Sequence, residues 1–565
     1  MALGSFVATL QTVDGAAMLS SGWQGLVAAT LIGASLLISA WLPLQAALRE
    51  AEARHTVPTW SLGSSVGLLA GMGALASSLL FVMPADEAAR IWPWMGVAAL
   101  WLGLRLGHPA LAISWGALQV VAAFAFGIYG PDLWADESAA LTLWTPLGFT
   151  LAALISGDAL QRAAKKDAAR AWQRAPWLQW GVVLWSLAWW TQVLLPDTYR
   201  HLLHAQPKQW MLQWPAVLTG WVTVTSVLVT AVARWRDWRV LGQTAWVTAP
   251  AWVLTAVVGI GTVGFAPHEH LGWLVWPLAL VWHAVLLRAL KRWWSAAALV
   301  PLHVGGFWLF LLLAAREAQW WTTGWGEPGS AWPVLGWVLV PALVLAVITR
   351  PRWLPRWPLN EFRTAYLLVA CAPVAAYLLL WLWVSNTQSG AAAPLPYVPL
   401  LNPLEIGHGF VLLALFLWRG ALPASTSNQV PRPLLLAGLG ATAFALYTGM
   451  VLRTCHHWAG VSWNEDALFA STLTQAALSV AWSIVGVALM MLGHKRVQRA
   501  VWIVGAALLG VVVLKLFFVE LADRGGLYRI VSFIVVGLLL LMVGYFAPVP
   551  PTRKEATVEE ASNVA

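Results

Sequence analysis

Apolar stretches of about 16–24 residues, divided by short polar loops, recur along this chain, and a stretch of that length can carry a helix through the apolar layer of a bilayer. Seventeen can be read, near 24–46, 59–83, 91–106, 109–128, 140–160, 177–195, 211–232, 243–265, 271–287, 295–315, 331–349, 365–385, 406–418, 434–452, 472–492, 500–520 and 528–546. The thirteenth is half-length and follows a proline-dense segment, so a broken or re-entrant element lining a cavity is expected there. The pattern predicts an all-α, polytopic integral membrane protein with about 17 transmembrane helices. The expected division is an outward segment at 1–23, a transmembrane helical domain at 24–547 and a disordered cytoplasmic tail at 548–565. Residues 1–22 lack a basic n-region and carry Asp14, so a cleavable signal is not expected.

Composition agrees. Sixty per cent of the 565 residues are hydrophobic, 10% are charged, and mean hydropathy is +0.70, more apolar surface than a soluble chain could hide. Charge then orients the spans. With the N-terminus outside and strict alternation, the basic clusters Arg162-Lys165-Lys166-Arg170-Arg174, Arg234-Arg236-Arg239, Arg288-Lys291-Arg292 and Lys495-Arg496-Arg499 all fall on the cytoplasmic side, as does the C-terminus. Of 33 Lys and Arg, only Arg90, Arg200, Lys208, Arg316, Arg453, Arg524 and Arg529 fall outside, with Lys515 inside a span. The net charge of +9 is thus a topogenic signal set against lipid headgroups, and no nucleic-acid partner is expected.

Several chemistries are missing. No Gly-x-x-x-x-Gly-Lys-Ser/Thr loop and no dinucleotide-binding glycine pattern is present, so ATP-driven work by this chain alone and a bound cofactor are not expected. Cys371 in the twelfth span and Cys455 in an outward loop give no disulfide framework. His268-Glu-His270 and His201-x-x-His204 are loosely metal-like, but no third ligand follows by spacing, and no metal is expected. The 42 Trp gather near span ends, as an interfacial belt requires. A stacking platform at the outward Trp320, Trp321 and Trp325 is the sharper alternative.

The candidate site lies among polar groups on the outward side. Lys515 sits within the apolar run Val511–Val519, followed by Glu520 and Asp523, and Arg529 opens the last span. A charge kept in a bilayer has a partner, reaches water or does work; Lys515 pairing with Glu520 or Asp523 competes with snorkelling, and Arg529 with Glu520 could staple the final hairpin. Arg453, His456 and His457 leave the fourteenth span and lead through Glu465 and Asp466 to the fifteenth. There Thr472, Gln475, Ser479 and Ser483 recur on one helical face, either as a polar groove or as hydrogen-bonding glue between helices. Asn402, Glu405 and His408 stand where the short thirteenth span begins.

Pro399-Leu-Leu-Asn-Pro-Leu-Glu405, Lys515-Leu-Phe-Phe-Val-Glu520 and Leu527-Tyr-Arg-Ile-Val-Ser-Phe533 carry a resemblance to the bacterial predicted-membrane-protein family named domain of unknown function 2339, most specific over 396–546. Members commonly have Asp where Glu405 and Glu520 stand, which keeps the carboxylate. The resemblance implies a multi-pass protein of the bacterial inner membrane and supplies no catalytic residues. Three functions follow as expectations. The first is a transporter, flippase or translocation component for an anionic or amphipathic envelope molecule, with Lys515 and the Gln475/Ser479 stripe on its path and Arg453 and Arg529 drawing substrate to the outer mouth. The second is an outward-facing enzyme on a lipid-linked substrate, using Asp86-Glu87 or Glu465, Asp466 and His456 as acid/base groups. The third is a scaffold for an envelope complex. Membrane lipids are the expected partners in each; no protein partner is specified.

Overall fold

The computed structural model describes residues 22–54, 58–129, 139–166, 172–204, 207–423 and 431–516, with isolated positions between 530 and 541. All regular elements among the described residues are helices, with no strand. A helix lies over each of the first sixteen apolar stretches, and eleven of the described helices are long and apolar enough to cross a membrane. The stretch 528–546 lies outside the continuously described residues.

The chain divides into two compact units, one of residues up to 265 with 269–302, the other of 266–268 with 303 onward. In the first, α1 (Gly22–Arg54) packs on α2 (Leu62–Ser78), α3 (Ala85–Leu106) on α4 (Pro109–Tyr129), and α5 (Ala139–Ala164) on α6 (Pro176–His204). Next, α7 (Pro207–Trp235) meets both α9 (Thr248–Val263) and α10 (Gly272–Leu290), with the short α8 (Arg239–Thr244) before α9. Part of the basic loop charge is tied down here. Arg236 forks onto Asp158 at 3.0 and 2.6 Å, with Arg162 on the same carboxylate. Asp237 takes Lys165 at 3.1 Å and Arg292 at 2.6 Å.

After α11 (Ala296–Thr323), which runs across the boundary between units, the second unit holds α12 (Trp332–Ile348), α13 (Cys371–Ser385), α14 (Pro403–Ala421), α15 (Arg432–Ala459), the short α16 (Glu465–Ala470), α17 (Thr472–Lys495) and α18 (Arg499–Lys515). Helix α12 packs on α14 and α13, α15 packs on α17, and α17 and α18 form a tight hairpin. The hairpin closes because both helices are bare where they cross: a Cβ on Gly505 would lie 2.6 Å from the Gly486 carbonyl oxygen. Small residues that let backbones meet are the usual means of joining helices in lipid, where burial of apolar surface gives no drive.

Two expectations are corrected. The thirteenth stretch is no half-length element: α14 runs unbroken for 19 residues. Its first turn was hidden by Pro403 and Glu405, but proline suits the first helical position and Glu405 is neutralised by a partner from another helix. Similarly, Arg453–His457 is not a loop but the final turns of α15, which stops at Gly460 with φ of 70°. Cys455 is therefore buried in a helix.

Candidate functional site

Helix α14 starts on a built-in cap. The Asn402 side chain accepts the Glu405 N–H at 3.1 Å and Pro403 takes the first helical position. That places Glu405 third in the helix, where a glutamate reaches back over the N-terminus. Its carboxylate passes the cap and accepts the Leu400 N–H at 2.5 Å and the Tyr397 hydroxyl at 2.9 Å. Leu400 has φ of 68°, a conformation a branched side chain adopts only under constraint, and this hydrogen bond supplies the constraint.

The counter-charge comes from α15. Arg453 Nε donates to Glu405 at 3.0 Å, and Nη1 donates to the Asn386 carbonyl and side-chain oxygens at 3.2 and 3.3 Å. Asn386 in turn donates to the Ala445 carbonyl at 2.9 Å. The pair is sealed: the Arg453 side chain is 0% exposed and that of Glu405 5%. Gly390, with φ of 67°, lies against the arginine so closely that a Cβ there would come within 2.7 Å of its Cδ. One guanidinium thus joins the end of α13, the start of α14 and the end of α15. Its Nη2 is buried with no partner among the described residues. The Tyr397 hydroxyl is pushed up to about 12 by burial and then by the Glu405 charge, so it stays a donor to that carboxylate.

His408, His456 and His457 are spent on carbonyls and a hydroxyl rather than acids. His457 stacks on Tyr397 at 4.3 Å and its Nε2 lies 2.9 Å from the Ser389 carbonyl. The Nδ1 of His456 lies 2.6 Å from the Val461 carbonyl, and His408 Nε2 2.9 Å from the Ser385 hydroxyl. Glu465 and Asp466 sit exposed in the first turn of α16, which Asn464 caps. The acid/base set expected of His456, Glu465 and Asp466 is therefore not assembled, because the histidine is held by the turn at Val461. Asp86 is engaged with Arg90 at 3.3 Å, one turn on in α3. Arg453, expected at an outer mouth, is instead fully buried.

A second polar node lies on the α17–α18 hairpin. Lys515 Nζ donates to the Gln475 carbonyl at 2.8 Å and to the Ser479 hydroxyl at 2.7 Å. Gln475, Ser479 and Ser483 are buried, and Ser483 donates to the Ser479 carbonyl at 2.8 Å. The lysine and the polar stripe, read separately from the sequence, share one place; Thr472 stands exposed at the start of the helix. Glu520, Asp523 and Arg529 lie outside the described residues, as do the side chains of His201 and His204.

Elsewhere, His268 meets the Glu317 carboxylate at 2.9 Å while His270 occupies a turn with φ of 50°. Among the described residues no group of three or more His, Cys, Asp or Glu could hold a metal. The Trp320–Trp321–Trp325 group does not form a stacked platform: Trp320 stands edge-on to Trp321, Trp321 donates to Glu317 at 2.8 Å, and Trp325 stands edge-on to Trp332.

The sequence signal for the Glu405–Arg453 pair was one acid opening a span and one arginine closing a neighbouring span. Asn386, Ser389, Gly390 and Tyr397 carried no signal, because each acts through a backbone, amide or hydroxyl contact that only the folded loop creates.

Apolar helices of membrane-crossing length, with polar nodes at helix ends, define a multi-pass membrane protein. Residues 201–550 match the family described as predicted membrane protein, DUF2339, and the chain belongs to that family. The match begins well before the 396–546 segment that carries the resemblance in sequence. No curated protein and no solved structure matches the chain.

Proposed function

We propose that this chain is a transport or translocation component of the bacterial inner membrane, with its N-terminus outward and its C-terminus cytoplasmic, acting on an anionic or amphipathic envelope molecule. The observation that carries the reading is the meeting of Lys515 with Gln475 and Ser479: an ammonium group held at the end of an apolar helix by oxygen atoms of its neighbour. Keeping a cation there costs several kcal/mol unless it is solvated by protein or does work. Its contacts with Gln475 and Ser479 are to neutral oxygens, and a cation at this depth is the complement of an anionic headgroup.

A fluorescent phosphatidylglycerol in proteoliposomes, read by dithionite quenching, tests this. The unaltered chain accelerates exchange between leaflets, and Lys515→Met returns the rate to that of protein-free vesicles. Equal rates for the two chains, or no acceleration by either, would remove the reading.

The closed Glu405–Arg453 network favours a second reading, a scaffold in which buried charge fixes helix positions. Stoichiometric co-purifying partners, retained when Lys515 is replaced, would support it. The enzyme reading has less behind it, since His456 and the acids near it are separately engaged or exposed.

A further inference from the structure

We propose that the first unit binds the carbonyl group of an uncharged lipid in a hydroxyl-lined hollow bounded by α6, α7 and the α8–α9 segment. The hollow measures about 200 Å3, and none of its lining side chains is ionisable. Thr225 and Ser226 face it near the middle of the span 213–235, so it lies at membrane depth. An ionic headgroup there would meet no counter-charge; a neutral one fits.

The hydrogen bonds around the hollow select the kind of neutral group. The Trp190 indole donates to the Thr225 hydroxyl at 2.7 Å, and the Trp282 indole donates to the Ser226 hydroxyl at 2.9 Å. The hydroxyls of Ser226 and Thr248 share one bond of 3.0 Å. One proton serves that shared bond. The Thr225 proton, and the other proton of the Ser226–Thr248 pair, find no acceptor among the described residues. Two indoles thus fill acceptor sites and turn the hydroxyls into donors, the complement of a carbonyl oxygen.

Backbone geometry points to the same place. The span 239–263 is interrupted by the tight turn Ala245–Val247, and Thr244, Ala245, Val247 and Thr248 all line the hollow. Irregular backbone at membrane depth persists where it is covered by protein or lines a cavity. On the facing wall Trp190 stacks on Trp221, with ring centroids 4.6 Å apart and planes 15° from parallel, and this offers a flat apolar surface. With Val247 60% exposed, the hollow opens on the side a lipid would enter from. A quinone ring and an acyl ester both supply the carbonyl.

The test is saturable binding of two tritiated probes, a short-tailed benzoquinone and dioctanoylglycerol, to the full chain in dodecyl maltoside, which has no carbonyl. At least one probe binds; the quinone alone identifies a ring carbonyl, and the glycerolipid identifies an ester. Val229→Trp fills the hollow and abolishes binding, while Ser226→Ala weakens it by about tenfold, the worth of one hydrogen bond. Binding by neither probe, or unchanged binding in Val229→Trp, overturns the site. Unchanged affinity in Ser226→Ala with a normal melting midpoint overturns the hydroxyl's role.

Discussion

Two sets of ion pairs in this protein use the same chemistry in opposite surroundings. Arg453 and Glu405 are 0% and 5% exposed, whereas Asp237 and its partners Lys165 and Arg292 are all more than half exposed. Water solvates the second set whether or not its partners meet, so each contact there contributes little. The first set has only protein around it. Each charge was stripped of water on folding, and the neighbours Tyr397, Leu400 and Asn386 stand in for that water. The exposed loop pairs therefore add little to the packing, while the buried pair is part of it.

The sharpest way to break the contrast is to remove one buried charge. Arg453→Met leaves the Glu405 carboxylate sealed and unpaired, with an expected destabilisation of about 3–5 kcal/mol. Adding Glu405→Met recovers most of that loss, because two apolar side chains replace a pair that was costly to desolvate. Thermal unfolding in detergent, followed by tryptophan fluorescence, reads both. A single variant as stable as the unaltered chain would mean that the pair is hydrated.

A smaller effect sits on the Tyr397 hydroxyl. Tyr397→Phe removes a bond to a charged acceptor and costs about 1.5–3 kcal/mol. Because the folded phenol titrates at about 12 against an ordinary 10.0, its contribution is complete below pH 10 and is lost as pH rises through 12. The Phe variant lacks that alkaline loss, so the two stability curves converge above pH 10. Parallel curves would place the phenol in water.

The smallest effect is expected at Asp237. The bonds from Lys165 and then Arg292 hold its carboxyl below the ordinary 3.8. A lowered folded value gives stability that is present above pH 3.8 and lost as pH falls through the lowered pKa. Asp237→Asn therefore costs little at pH 7, because water screens these pairs, and its stability curve converges with that of the unaltered chain as pH falls through the lowered pKa. A large loss at pH 7 would show that this turn is closed to solvent and would erase the contrast.

Helix positions were legible because the bilayer leaves few options: a long apolar segment must satisfy its own backbone, and a helix does so. That reasoning located sixteen segments that the structure shows as helices, and it failed at their ends. The start of α14 and the last turns of α15 carry Glu405 and Arg453, and charge in isolation looks like a loop. Each charge is admitted into a helix only by the other. Lys515 and the Gln475/Ser479 stripe were both visible in sequence, but their meeting depends on the glycine-backed crossing of α17 and α18.

By itself the chain's order of residues determined an all-helical membrane protein, its approximate helix positions and the few polar residues worth attention. Those are consequences of hydropathy and of hydrogen bonds formed within one segment. Tertiary structure alone decided that Arg453 is buried, that Glu405 is its partner, and that Thr225 and Ser226 line a hollow. Contacts between segments far apart in sequence set the desolvation of each polar group, and desolvation decides whether a charge or hydroxyl holds the fold, binds a ligand or merely meets water.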